Sequence, residues 1–149
     1  MAIARGAGTE IIRSAHFEEV DSTATILIVG VQHHIYTVLS VICFAKGVQA
    51  DGNYINMFLG GYDSKAGTTD RGIEIFKQEM SESQTYVWAD KFSFNGYEPV
   101  DFAGPMDDAT KQDAIADQGS SVVQQLKILT ESATDNFDVH ITYIDQNNA

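Results

Sequence analysis

The stretch that most constrains the fold of this chain is His34–Ala45, HIYTVLSVICFA. It contains no Gly or Pro and is rich in β-branched and aromatic residues, which fit a pleated surface. Strict alternation puts Ile35, Thr37, Leu39, Val41 and Cys43 on one face. It puts Tyr36, Val38, Ser40, Ile42 and Phe44 on the other. Both faces are mostly apolar, which predicts a strand covered on both sides. Such a strand belongs in the middle of a sandwich, with a second layer or a neighbouring subunit on its outer face. A buried helix is the competing reading, and the poor helical periodicity of the run argues against it.

The chain has 149 residues, 44% of them hydrophobic, which is enough for one domain with a real core. The formal net charge of -12 opposes binding to nucleic acid through the general field, because phosphates repel it. Anionic membranes repel it in the same way. A single cysteine, Cys43, lies inside the central run and reads as a small core hydrophobe. With no second cysteine, the fold does not depend on a disulfide within the chain. The run Ile26–Val29 is too short to span a bilayer, and MAIARGAGTE lacks the apolar core of a signal peptide. These features predict a soluble product made without signal-directed export.

Along the chain, Met1–Gly8 is small and Gly/Ala-rich. It is either a frayed terminus or an arm that lies on a neighbouring subunit, with Ile3 and Arg5 as anchors. Strands are predicted at Thr9–Val20, Ala24–Val31, His34–Ala45, Tyr54–Tyr62, Ile73–Lys77, Thr85–Asn95, Ser121–Thr130 and Asn136–Asp145. Gly30 marks a bulge or a close backbone approach, and Gly60–Gly61 a bulge or an edge position. Asp51–Gly52 and Asn95–Gly96 read as tight turns. Asp63–Gly72 reads as an exposed loop. Val100–Gly119 is an acidic excursion with room for one short helix at Asp108–Asp117. The sum is an antiparallel β-sandwich of jelly-roll or Greek-key type at residues 9–149, with an N-terminal arm at 1–8. A closed barrel is the alternative.

No catalytic constellation presents itself: there is no GxSxG elbow, zinc signature or phosphate-binding loop. His33 and His34 are adjacent and point to opposite faces of a strand, and no histidine pair has a ligand spacing. The acidic excursion lacks the spacing of a calcium loop. The expectation is a non-enzymatic protein with no metal and no cofactor. One rival reading is carbohydrate binding through aromatics near loop ends, Tyr62, Tyr86, Trp88 and Tyr97.

The order of the runs HIYTVLSVICFA, NYINMFLGGYD, YVWADKFSFN and QLKILTESATDNFDVHITYID resembles that of small β-sandwich virion proteins of tailed bacteriophages. The likeness covers roughly Gln32–Asp145. It is carried most clearly by Leu126–Lys127–Ile128, followed by a polar turn and the alternating run Phe137–Ile144. The acidic excursion is longer than the family pattern, and the segment before Gln32 lies outside it. The resemblance implies a virion structural protein made in the host cytoplasm. Its implied role is to decorate or cement the capsid surface as a homotrimer, in contact with the major capsid protein or another virion protein. A neck, tail or fibre position is the alternative. On this reading the contact residues are Ile3 and Arg5 of the arm and Tyr36, Val38, Ile42 and Phe44 of the central strand.

Overall fold

Alternation is cleanest near the C-terminus, and there the backbone follows it. Strand β11 (Asn136–Asn147) buries Phe137, Val139, Ile141, Tyr143 and Asp145 and turns the residues between them outward. The computed structural model describes residues 8–63, 66–99, 109–110, 112–113 and 121–148. Its remaining strands are β1 (Thr9–Val20), β2 (Thr25–Val29), β3 (His34–Gly47), β4 (Tyr54–Asp63), β5 (Thr68–Glu79), β6 (Thr85–Trp88), β7 (Phe92–Asn95), β8 (Tyr97–Pro99), β9 (Ser121–Val123) and β10 (Gln125–Thr130).

The protein is an all-β sandwich of antiparallel sheets. The first sheet runs β1-β11-β3-β6, with β7 also paired to β3. The second runs β2-β10-β4-β5, and β8 pairs with β9 in a short ribbon. The central run does sit mid-sheet: β3 pairs with β11 on one side and with β6 and β7 on the other. Helix among the described residues is confined to 109–110 and 112–113. Residues 1–7, which include Ile3 and Arg5, and most of the acidic excursion at 100–119 lie outside the described residues.

The two faces of β3 are not those of strict alternation. Val38 pairs with Tyr143 and Ser40 with Thr142, so β3 carries one extra residue at Leu39. A bulge of this kind switches which parity points inward. Tyr36 and Val38 face the core before it, and Val41, Cys43 and Ala45 after it. The run is apolar at both parities because each parity takes its turn in the core. Ile42 and Phe44 are thereby set outward, at 39% and 37% exposure. The reading that grouped Tyr36, Val38, Ile42 and Phe44 on one face is corrected by this bulge.

The core between the sheets joins these residues to Leu27, Ile28, Ile55, Met57, Leu126 and Ile128 of the second sheet. Burial of each such side chain is worth about 1.5–3 kcal/mol. Other boundaries depart from expectation for tertiary reasons. The predicted strand Thr85–Asn95 is split, because β6 follows Val41–Phe44 and β7 follows Ile35–Val38 on either side of the bulge. Ser121–Thr130 is interrupted at Gln124, whose backbone accepts from Gly30 N and donates to Gly96 O. Gly30 and Gly96 face each other there, and a Cβ on Gly30 would overlap the Gly96 carbonyl. Part of the predicted Asp63–Gly72 loop is strand, since β5 starts at Thr68 and pairs with Tyr62 and Asp63. Gly72, at φ 93°, lets this polar edge continue past the bulges against β4.

Candidate interaction surface

The outer face of the first sheet is built from cross-strand rows that the register defines. One row runs Val87–Ile42–His140–His16 across β6, β3, β11 and β1. Next comes Ser40–Thr142–Ser14, and then Ser93–Thr37–Ile144–Ile12. None of these residues is Asp, Glu, Lys or Arg, in a chain of net charge -12. Its hydroxyls are partly paired with each other: Ser14 Oγ lies 3.3 Å from Thr142 Oγ1, and Thr37 Oγ1 lies 2.9 Å from Ser93 Oγ. Charges collect at the margins, with Asp138 beside Phe44, Glu10 opposite Gln146, and the exposed Glu18 carboxylate 3.4 Å from His16 Nε2. Ile12 is 72% and Val87 56% exposed, so large apolar groups stand open to solvent at both flanks.

The outer face of the second sheet is made differently. Its central row is Ile26–Lys127–Phe58–Glu74. Phe58 is buried on this side of the sheet beside the charged side chains of its neighbours. Asn56 Nδ2 donates to Glu74 Oε1 at 2.9 Å, and the Lys77 ammonium sits 4.0 Å from the Tyr54 ring centroid. Long charged side chains cover apolar surface on this sheet. The first sheet has no such cover across its central rows.

Of the residues predicted to make contacts, Ile42 and Phe44 therefore belong to the open face, and Tyr36 and Val38 to the core. Ile12, Val87 and Ile144 join that face without having been singled out. Their parity within Thr9–Val20, Thr85–Asn95 and Asn136–Asp145 carried the signal, because each lies opposite in phase to a core residue. The aromatic set is dispersed. Tyr86 and Trp88 pair with Cys43 and Val41 and share their inward face. Phe76 lies 5.2 Å from Tyr86 and 6.3 Å from Trp88 between ring centroids, and Phe92 meets Trp88 edge-on at 5.4 Å. Tyr62 and Tyr97 are half-buried on β4 and β8, and Tyr62 N donates to Glu98 Oε2.

Two groups that look chemical are structural in their surroundings. Asp145, at the buried end of β11, lies 2.7 Å from His34 Nδ1 on β3 and accepts from Arg13 Nη1 on β1 at 3.4 Å. It ties three strands together at one end of the sheet. Burial pushes the nearby Tyr36 phenol up to about 12, and the Asp145 carboxylate adds to the shift. Burial likewise raises Tyr143. Cys43 is fully buried, and desolvation alone pushes its thiol up to about 12. A thiol reagent is therefore expected to label Cys43 only after unfolding. Rapid labelling of folded protein, followed by absorbance, would contradict this. The His16 and His140 rings lie 6.3 Å apart across β1 and β11. No group of three or more His, Cys, Asp or Glu among the described residues is placed to hold a metal.

No protein-family model and no curated protein sequence matches the chain. Solved structures are similar to it in fold. One is a chain of the disulfide-linked pili of Bacillus endospore appendages, at 11% identity over 100% of this chain and 97% of that one, with a TM-score of 0.45. Another comes from the VP2 subviral particle of infectious bursal disease virus, at 5% identity and a TM-score of 0.45. The match covers 97% of this chain and 34% of that one.

Proposed function

We propose that this chain is a non-enzymatic structural protein of a bacteriophage virion, a decoration or cement protein of the capsid surface. The observation that carries this reading is the uncovered first sheet, whose three central outward rows hold Ile12, Ile42, Ile144 and Val87 among hydroxyls and histidines with no Asp, Glu, Lys or Arg, while the second sheet is dressed in charged side chains. A stable interface of such a protein needs roughly 1,000 Å² or more, and this face offers the exposed apolar groups Ile12, Ile42 and Val87 on either side of a row of hydroxyls. The chain is made in the host cytoplasm and reaches the virion by binding protein. It meets other copies of itself as a homotrimer, and the major capsid protein or another virion protein. Ile3 and Arg5 of the arm act as further anchors. The gain is mechanical, because many copies tie neighbouring subunits together against internal pressure.

The test is reconstitution. Purified protein added to particles that lack it is expected to bind the capsid at a fixed copy number and to raise the temperature at which the head releases DNA. Binding to the neck, tail or fibres alone would favour the alternative, in which Tyr62, Tyr86, Trp88 and Tyr97 contact carbohydrate. The packing of Tyr86 and Trp88 against Phe76 weighs against that alternative. Failure to associate with any particle would overturn the proposal.

A further inference from the structure

We infer that His16 and His140 form a two-imidazole site for a divalent first-row transition metal ion of the Zn²⁺ class. The inference stands apart from the structural role proposed above. Register supports it first. His16 of β1 lies directly opposite His140 of β11, so both rings rise from the outer face of the first sheet, with their centroids 6.3 Å apart. A metal bound to one nitrogen of each ring at about 2.0–2.1 Å lies about 3.2 Å from each centroid, so two rings flanking one ion stand about 5–6.4 Å apart. A tetrahedral angle needs about 1 Å of closure. The exposed His16 side chain can supply that by rotating.

The surroundings of the pair come second. Glu18 Oε1 lies 3.4 Å from His16 Nε2. A carboxylate that accepts from one ring nitrogen orients the imidazole and leaves the lone pair on the other, the arrangement usual behind metal-bound histidines. With the tautomer assigned in this way, His16 binds through Nδ1. The row Val87–Ile42–His140–His16 holds no Lys or Arg to repel a cation, and a chain of net charge -12 attracts one. The other two histidines are placed differently. His34 Nδ1 is committed to Asp145 at 2.7 Å, and His33 sits in the β2–β3 turn at φ 66°. Among the described residues no third His, Cys, Asp or Glu completes a ligand set. The ion therefore keeps its remaining positions for water or for a ligand from another molecule. Two neutral imidazoles select Cu²⁺, Ni²⁺ and Zn²⁺ over Mg²⁺ and Ca²⁺.

The experiment titrates the full chain with Zn²⁺ by isothermal calorimetry, alongside His16→Gln, His140→Gln and His33→Asn. The native chain is expected to bind one ion saturably, and each of the first two variants to bind it about 10–100-fold more weakly. His33→Asn is expected to match the native chain. Cu²⁺ gives a second readout, because its electron paramagnetic resonance spectrum counts ligating nitrogens: two in the native chain and one in each variant of the pair. Circular dichroism checks the fold, and His16, exposed on an edge strand, keeps the test decisive if His140→Gln does not fold. A native chain without saturable Zn²⁺ binding overturns the inference. So does a His16→Gln variant that binds at native strength, or a native Cu²⁺ spectrum without a nitrogen pair. Displacement of Zn²⁺ by equimolar Mg²⁺ would assign the binding to carboxylates and overturn it too. Particle binding plays no part in these readouts, so failure of the structural role and failure of the metal site are told apart.

Discussion

Replacing Phe137 with alanine is expected to destabilise the protein by about 3–5 kcal/mol, whereas Phe44→Ala is expected to cost less than about 1 kcal/mol. Phe137 is fully buried, opposite Val20 of β1 and Ala45 of β3. The small Ala45 and the large Phe137 fill one layer between them, so truncation leaves a cavity that the rigid sheet cannot close. Phe44 is the residue next to Ala45, and it points the other way. Urea unfolding of the two variants at matched slope reads the difference directly. Total stabilities of such domains run to about 5–15 kcal/mol, so the first variant loses a large share. Equal losses would mean that β3 does not change phase at Leu39, and the sidedness derived from the bulge would fall with it.

Asp135→Ala is expected to cost about 3 kcal/mol, by a different mechanism. Asp135 is buried in the turn before β11. Its Oδ1 accepts from Gln49 N at 2.8 Å, and its Oδ2 accepts from Ser132 N at 2.9 Å. Asn53 Nδ2 donates to both oxygens at 3.3 and 3.4 Å. One carboxylate thus joins the β3–β4 connection to the β10–β11 turn. Alanine removes the acceptor and strands donors that the fold has already desolvated, each bond to a charged group being worth about 1.5–3 kcal/mol. Asp135→Asn is expected to lose about half as much, since one oxygen remains and the amide N–H₂ then faces a donor. Asp21→Ala serves as the control. Its Oδ1 accepts only from Thr23 N among the bonds described, in an exposed turn, and little change is expected. If all three variants unfolded at the native urea concentration, Asp135 would have no stabilising role.

The class of fold was legible before any coordinates, and for a local reason. Side-chain period is two in any strand, so the alternation of Phe137, Val139, Ile141 and Tyr143 names both the strand and its buried face without knowledge of its neighbours. The limits of Thr9–Val20 also match those read from the sequence, but its faces were not legible, since the adjacent Ile11 and Ile12 are both exposed. The central position of His34–Ala45 was read correctly but for a reason the structure replaces: both parities are apolar because the phase changes at Leu39, with the outer face open at Ile42 and Phe44 where a cover was expected. What tertiary structure alone decided is where phase changes. The extra residue at Leu39 is no different in composition from its neighbours, and it becomes a bulge only because β11 offers Tyr143 and Thr142 as consecutive partners. That one step sends Tyr36 and Val38 into the core and Ile42 and Phe44 out to the open face. The strand β5 was hidden for a related reason: edge residues such as Thr68–Gly72 need not be apolar, and their pairing is dictated by β4 across a hairpin. Pattern along a chain reports which residues avoid water, whereas hydrogen-bond register between distant strands decides which side of a sheet they avoid it on.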